Sequence, residues 1–371
     1  MRVFYDHQVT SLQDAGGISR YYFELVRAVL DAGTRGDACS PELLLGWNRS
    51  IVPFRSLQPR ARVTSIRTSA DPGPLRYAVN EALTTAIAPF RGRFDVYHAT
   101  YQRVLPMVRS KAVVVTHHDS TPDHFPGLFP NAAAIHSRLK KVYERADRII
   151  CISESCRQDL FRFFDVAPEK TVVIHHGFSS LPEESDGGRT GLPCPQPYLL
   201  YVGSRAAYKN FPAVLQAMAQ QSQGDLQLVV AGGGAFRPDE LEEISRLRLT
   251  TRVHGMPRVS DEQLASLYRY AAVFVYPSLY EGFGFPPLEA MSVGCPALVS
   301  RSSALPEICG DAAFYFDPAS VDNLAASLRR LLADDAFRSS KRQVGFEQVK
   351  QYSWQKAAAK TLAAYRAALG S

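Results

Sequence analysis

Short apolar runs of strand length alternate with helix-periodic stretches along this chain, and the alternation occurs twice. That rhythm restricts the chain to an α/β architecture built on parallel sheets. In the first half, Arg2–Tyr5 reads as a strand, followed by a Gly16-Gly17 turn. A helix then presents Ile18, Tyr22, Leu25, Val26 and Val29 on one face. Strands are predicted at Glu42–Leu45, Phe94–His98, Ala112–Thr116, Ile149–Ile152 and Thr171–Ile174. Helical stretches cover Ala132–Ala146 and Glu154–Phe164, the latter with Ser153 as N-cap. Residues 179–197, rich in Gly, Pro, Ser and acids, break both periodicities and read as an interdomain linker. The series then resumes, with strands at Tyr198–Val202, Leu226–Ala231, Arg252–His254, Val273–Tyr276, Ala297–Ser300 and Ala313–Phe316. Helices are expected near Pro212–Gln221, Asp239–Arg246, Asp261–Ala271, Pro287–Val293 and Val321–Leu332, and an Ala-rich helix at Trp354–Leu369. A length of 371 residues exceeds what one core usually serves.

The remaining composition narrows the function classes. No run approaches the roughly 18 apolar residues of a membrane-spanning helix, and Met1–Gln8 lacks the apolar core of a signal peptide. The six cysteines are scattered rather than densely spaced, which fits a reducing, cytoplasmic setting. The net charge of +6 sits entirely in residues 1–180, where 23 Lys and Arg face 17 Asp and Glu. Dense basic runs interleaved with aromatics are missing, so nucleic acid is not expected as a partner. An anionic membrane surface is the preferred functional reading of the basic half, beside an ordinary solvated face.

Ligands of doubly wound sheets bind beyond the carboxyl ends of the strands. At one such end lies the segment Tyr276-Pro277-Ser278-Leu279-Tyr280-Glu281-Gly282-Phe283-Gly284-Phe285-Pro286-Pro287-Leu288-Glu289-Ala290. Gly282 and Gly284 let backbone N–H groups approach a ligand, and the following helix N-terminus favours an anion. Glu281 before the glycines and Glu289, placed in the first helical turn, suit a ligand bearing both hydroxyls and phosphate. At a second strand end, Gly203-Ser204-Arg205-Ala206-Ala207-Tyr208-Lys209-Asn210 sets two cations four residues apart, which fits a diphosphate. Other signals are weaker. His117-His118-Asp119 and His175-His176 match no zinc spacing, and the chain contains no Asp-x-Asp pair for a metal-diphosphate chelate. Gly232-Gly233-Gly234 lacks the last glycine of a nicotinamide fingerprint, position 237 being Arg, and reads as a turn near a nucleotide base. Cys295 reads as a packing residue rather than a nucleophile.

These segments together resemble the retaining glycosyltransferase family 4. The match comprises Pro-Ser-x-Tyr-Glu-Gly-Phe-Gly-x-Pro-x-Leu-Glu-Ala-Met around Glu281 and Glu289, the Gly203–Asn210 turn, and Gly16-Gly17-Ile18-Ser19-Arg20-Tyr21. His118-Asp119, Ile152-Ser153-Glu154-Ser155, Ala304-Leu305-Pro306-Glu307 and Tyr352-Ser353-Trp354 extend it over nearly the whole chain. The resemblance implies the GT-B fold: two Rossmann-like doubly wound domains facing across a cleft, with the C-terminal helix crossing back to the first. The domains would be an acceptor-binding domain at 1–180, a linker at 181–197, a nucleotide-sugar-binding domain at 198–350 and the returning helix at 351–371. It further implies that Glu289 binds the donor ribose, and that Glu281 holds sugar hydroxyls with help from Gly282, Phe283 and Gly284. Arg205 and Lys209 would neutralise the diphosphate, Gly16 and Gly17 would reach it from the first domain, and His118 would lie near the sugar and acceptor. Glu281, His118, Arg205 and Lys209 are thus the expected catalytic group. No metal and no cofactor is expected, and no side-chain nucleophile, since the leaving phosphate oxygen takes the acceptor proton.

Asp6-His7-Gln8 with the Gly-Gly-Ile-Ser-Arg-Tyr turn resembles bacterial members that build O-antigen, capsule or exopolysaccharide. The expected donor is GDP-mannose and the expected acceptor a saccharide, lipid-linked, at the inner face of the inner membrane, with the protein cytoplasmic and peripheral. The alternatives are UDP-glucose, UDP-galactose or dTDP-rhamnose as donor with a soluble acceptor, or a non-catalytic sugar-nucleotide-binding scaffold.

Overall fold

The computed structural model describes residues 1–12, 16–33, 39–48, 50–67, 75–182, 192–194, 197–221 and 226–370. The chain divides into two compact units, one of residues 1–177 with 352–371 and the other of residues 178–351. Much of the expected linker, residues 183–191 and 195–196, lies outside the described residues.

The first unit holds seven strands: β1 (Arg2–Tyr5), β2 (Ser40–Asn48), β3 (Arg62–Arg67), β4 (Phe94–Ala99), β5 (Ser110–His117), β6 (Arg148–Cys151) and β7 (Thr171–Val173). They run parallel in the order β3-β2-β1-β4-β5-β6-β7, so the winding reverses between β1 and β4. Parallel strands covered on both faces must be apolar throughout, and Val3, Phe4, Phe94, Val96, Val114, Ile149 and Ile150 are completely buried. β3 was not foreseen, because Arg62-Val63-Thr64-Ser65-Ile66-Arg67 is an edge strand with charge at both ends. The helix Arg76–Ile87 escaped for a related reason: the side chains it buries are Asn80 and Thr84.

The C-terminal helix, Trp354–Ala368, joins the core of this unit through Trp354, Ala358, Leu362 and Tyr365. A buried chain of hydrogen bonds fixes it there. The Tyr365 hydroxyl bonds that of Tyr5 (2.8 Å) and His98 Nδ1 (2.7 Å), while His98 Nε2 bonds Thr116 Oγ1 (2.9 Å).

The second unit holds β8 (Tyr198–Val202), β9 (Gln227–Ala231), β10 (Val253–Met256), β11 (Val273–Tyr276), β12 (Ala297–Ser300) and β13 (Phe314–Phe316). Again all are parallel, in the order β10-β9-β8-β11-β12-β13, with the reversal between β8 and β11. Its core joins Leu199, Tyr201, Phe211, Val214 and Met218 to Leu298, Leu324 and Leu328. Each sheet therefore offers one crevice at the carboxyl ends of the strands flanking its reversal. No described helix is long and apolar enough to cross a membrane.

Candidate active site

In the second unit the two loops leaving β8 and β11 meet at the reversal. The Leu279 N–H donates to the Tyr208 carbonyl (2.8 Å), tying them together. Lys209, at the end of a single 3-10 turn, donates from Nζ to Glu281 Oε1 at 2.6 Å and to the Tyr276 hydroxyl at 3.4 Å. Both members of the ion pair retain some solvent access, 16% for the Lys209 side chain and 12% for Glu281. Burial, reinforced by the neighbouring Glu281 carboxylate, holds the Tyr276 phenol well above its usual pKa, so it stays a protonated donor. The Glu281 N–H donates to Ser303 Oγ (2.8 Å), which fixes the carboxylate's backbone. What results is a cation and an anion side by side at a strand end, a pair that can exchange its internal bond for contacts with a charged, hydroxyl-bearing ligand.

Gly284 terminates this loop and starts the helix Phe285–Ser292, with φ of 98°. A Cβ there would lie 2.7 Å from Leu305 Cδ2, a side-chain end that would have to shift, while the left-handed backbone conformation itself demands glycine. We expect Gly284→Ala to destabilise the second unit by about 1–3 kcal/mol in a denaturant titration. Unchanged stability would show that the turn relaxes freely. Because the helix begins at Phe285, two residues before the expected start, Glu289 stands in the second turn rather than the first. Its carboxylate oxygen Oε2 accepts from the Tyr268 hydroxyl at 3.0 Å. Tyr268 is itself kept protonated by burial and by Glu289.

Arg205 follows β8 in the second unit. The resemblance places it on the diphosphate, yet its side chain is only 2% exposed. Its Nε bonds Glu240 Oε1 (3.0 Å), Nη1 the Gly232 carbonyl (3.1 Å), and Nη2 the carbonyls of Gly234 (3.2 Å) and Ala235 (2.7 Å). Four N–H donors are thus committed to Glu240 and to the Gly232–Ala235 loop. Gly232, Gly233 and Gly234 all have positive φ, and a Cβ on Gly233 would stand 2.8 Å from Arg205 Nη1. In this structure Arg205 therefore braces the glycine loop at the carboxyl end of β9. Sequence reasoning missed Glu240 because it lies 35 residues away; nothing local marks it as the arginine's partner.

The remaining predicted residues belong to the first unit. Gly16 and Gly17 open the helix Gly17–Gly33, and the Gly16 carbonyl accepts from the Arg20 N–H (3.1 Å). His118 follows β5 and is buried against Tyr21 (ring centroids 5.2 Å apart) and His176 (6.0 Å). Its buried Nε2 has no hydrogen-bond partner among the described residues. Burial, together with His176, His117 and His98, pushes its pKa far below the usual value, so the ring is neutral. The first-unit group and the second-unit group are thus each assembled within its own unit. Cys295 is buried and its thiol is pushed up to about 12 by desolvation, in keeping with packing.

Two parallel-sheet units, each with its crevice at the winding reversal and one bearing the Lys209–Glu281 pair, define the GT-B class of fold. Comparison with known proteins identifies the family. Residues 15–180 match the model of Glycosyltransferase Family 4 and residues 184–348 that of Glycosyl transferases group 1. The chain belongs to this family and is a glycosyltransferase. It is 31% identical over 273 residues to the O-antigen chain mannosyltransferase B of Escherichia coli, covering 70% of this chain and 71% of that protein. It is 30% identical over 355 residues to the MMP alpha-(1->4)-mannosyltransferase of Mycolicibacterium hassiacum, covering 85% and 82%. Among solved structures, the sucrose-phosphate synthase of Thermosynechococcus elongatus superposes with a TM-score of 0.76 at 23% identity, over 99% of this chain and 98% of that one.

Proposed function

We propose that this glycosyltransferase transfers mannose with retention from GDP-mannose to a lipid-linked saccharide, as a step in bacterial surface-polysaccharide assembly on the cytoplasmic face of the inner membrane. The carrying observation is the Lys209–Glu281 pair at the strand reversal, beside the Gly282–Gly284 turn, with Glu289 one helical turn further on. The choice of mannose is supported by the two relatives of about 30% identity, both mannosyltransferases.

In this reading Glu289 holds the ribose hydroxyls and Glu281 those of the sugar. Lys209 stabilises the charge that develops on the departing diphosphate, where a preformed cation lowers the barrier most. The leaving phosphate oxygen takes the acceptor proton as the new glycosidic bond forms, so neither a side-chain nucleophile nor a metal is needed. The two glutamates bind the donor and do not act as the paired carboxylates of a hydrolase. His118, a neutral ring after β5, is the first-unit residue assigned to the side of the sugar and acceptor.

The test is thermal stabilisation across GDP-, UDP-, dTDP- and ADP-sugars, repeated with Glu289→Ala. A donor at 100 times its Kd adds about 2.7 kcal/mol to stability. We expect GDP-mannose to raise the melting temperature of the wild type, Glu289→Ala to lose that response, and turnover to persist in EDTA. Stabilisation by UDP- or dTDP-sugars alone would transfer the assignment to another donor.

A further inference from the structure

Five side chains of the first unit form one continuous buried chain of hydrogen bonds, and its last member is Tyr21. The Tyr5 and Tyr365 hydroxyls bond each other, Tyr365 bonds His98 Nδ1, and His98 Nε2 bonds Thr116 Oγ1. Thr116 Oγ1 has a second bond, to the Tyr21 hydroxyl at 3.3 Å. None of the five is more than 8% exposed. Burial keeps His98 neutral, so one of its ring nitrogens donates and the other accepts. Each hydroxyl then takes its order of donation from its neighbour, and bonds linked in this way strengthen one another. Removing one hydroxyl leaves a buried partner unsatisfied, with no water to replace it.

The hub at Thr116 joins two elements that carry the first unit's site residues. Tyr21 stands in the helix Gly17–Gly33, at whose start Ser19 Oγ and the Arg20 N–H both donate to the Gly16 carbonyl (3.0 and 3.1 Å). Thr116 stands on β5, two residues before His118. The Tyr21 ring meets the His118 ring edge-on at 5.2 Å and lies 4.5 Å from that of His176. The C-terminal helix holds the same group from both of its ends. Tyr365 reaches the hub through His98, and the Trp354 ring lies 6.1 Å from that of Tyr21. A Cβ on Gly177 would stand 2.4 Å from the Trp354 ring, so the backbone backs that ring closely.

We infer that Tyr21 is a positioning residue for the transfer reaction, resting on the role proposed for His118. Its bond to Thr116 holds the glycine-opened helix against the strand that leads into His118, and its ring sets the His118 ring. The C-terminal helix braces that bond through Tyr365 and His98, which makes it part of the site's support as well as of the core.

The experiment reads the His118 ring by NMR in the substrate-free full chain with labelled histidine, the signal being identified by its loss in His118→Asn. Beside it, turnover is measured with methyl α-mannoside as acceptor probe and GDP-mannose, or whichever sugar nucleotide stabilises the wild type, as donor. Tyr21→Phe and Thr116→Val should each displace the His118 signal and lower kcat by about tenfold or more. The donor KM should stay unchanged, since the carboxylates proposed to hold the donor stand in the second unit. Thr116→Ser keeps the hydroxyl and should restore both readings. The double variant should be no slower than Thr116→Val alone, because the two changes act through one bond. Tyr365→Phe should lower kcat in the same direction. Tyr21→Phe leaves the ring packing in place and carries the test should Thr116→Val fail to fold. A His118 signal unmoved in Tyr21→Phe, or one displaced with wild-type kcat, would overturn the inference. So would Thr116→Ser no faster than Thr116→Val, and wild-type kcat in Tyr365→Phe would overturn the part given to the C-terminal helix. His118→Asn at the wild-type rate would remove His118 from the proposed mechanism and Tyr21 with it. A slow His118→Asn beside a fully active Tyr21→Phe would overturn the role of Tyr21 alone.

Discussion

Glu281→Gln is expected to lower turnover by about 100-fold or more with the fold kept. The substitution preserves size and backbone contacts, including the N–H donation to Ser303 Oγ, but removes the charge that Lys209 meets at 2.6 Å. Two losses then act together. In the proposed mechanism the lysine, no longer held by a carboxylate, is set less firmly against the diphosphate, and the amide is a weaker acceptor for the sugar hydroxyls than a carboxylate. Steady-state kinetics with a matched melting curve checks this. A folded variant that turns over at the wild-type rate would remove Glu281 from the mechanism and reopen the possibility of a binding scaffold.

The second large effect concerns acid. Burial lowers the pKa of both His98 and His176 to about 3, and that of His118 well below the usual value. Folded, these rings refuse a proton that the unfolded chain accepts near pH 6.5. Their contribution to stability is therefore complete above pH 6.5 and is lost as the pH falls toward the folded values. At pH 4.5 the penalty is about 3 kcal/mol for each of His98 and His176, with His118 acting in the same direction. Against the roughly 5–15 kcal/mol of a typical domain, the first unit should approach its unfolding midpoint there. Thermal melts between pH 7.5 and 4.5 test this above the range where most carboxylates titrate, and His176→Leu should flatten the slope by about 1.4 kcal/mol per pH unit. A melting temperature that stays level to pH 4.5 would contradict the burial of these rings.

Much of the fold was legible because its signals are local. β1, β8, β11 and β12 have the bounds read from sequence, since a strand buried on both faces is a largely apolar run, closed here by Asp6, Gly203, Pro277 and Arg301. Ser153 caps its helix as expected, its Oγ accepting from the Cys156 N–H at 3.0 Å. The helices Leu305–Cys309 and Asp335–Val349 were not foreseen. The first is barely more than a turn, and the second buries only Gly345 and Val349, too little to impose a period.

At the site, the division between local and distant information is sharper. The sequence by itself determined which residue types stand at which strand ends: Glu281 and the glycines after β11, Lys209 after β8, His118 after β5. Chain order and hydrophobic period suffice for that, because each residue is tied to its own strand. Only the tertiary structure decided whom they touch. It paired Lys209 with Glu281 across 72 residues, turned Arg205 away toward Glu240 and the Gly232–Ala235 loop, and gave Glu289 a bond from Tyr268. It also brought Tyr365 to His98 across 267 residues. The physical reason is common to all of these. A buried donor or acceptor takes whichever partner the packed sheets bring within about 3 Å, and neither spacing nor composition records that meeting.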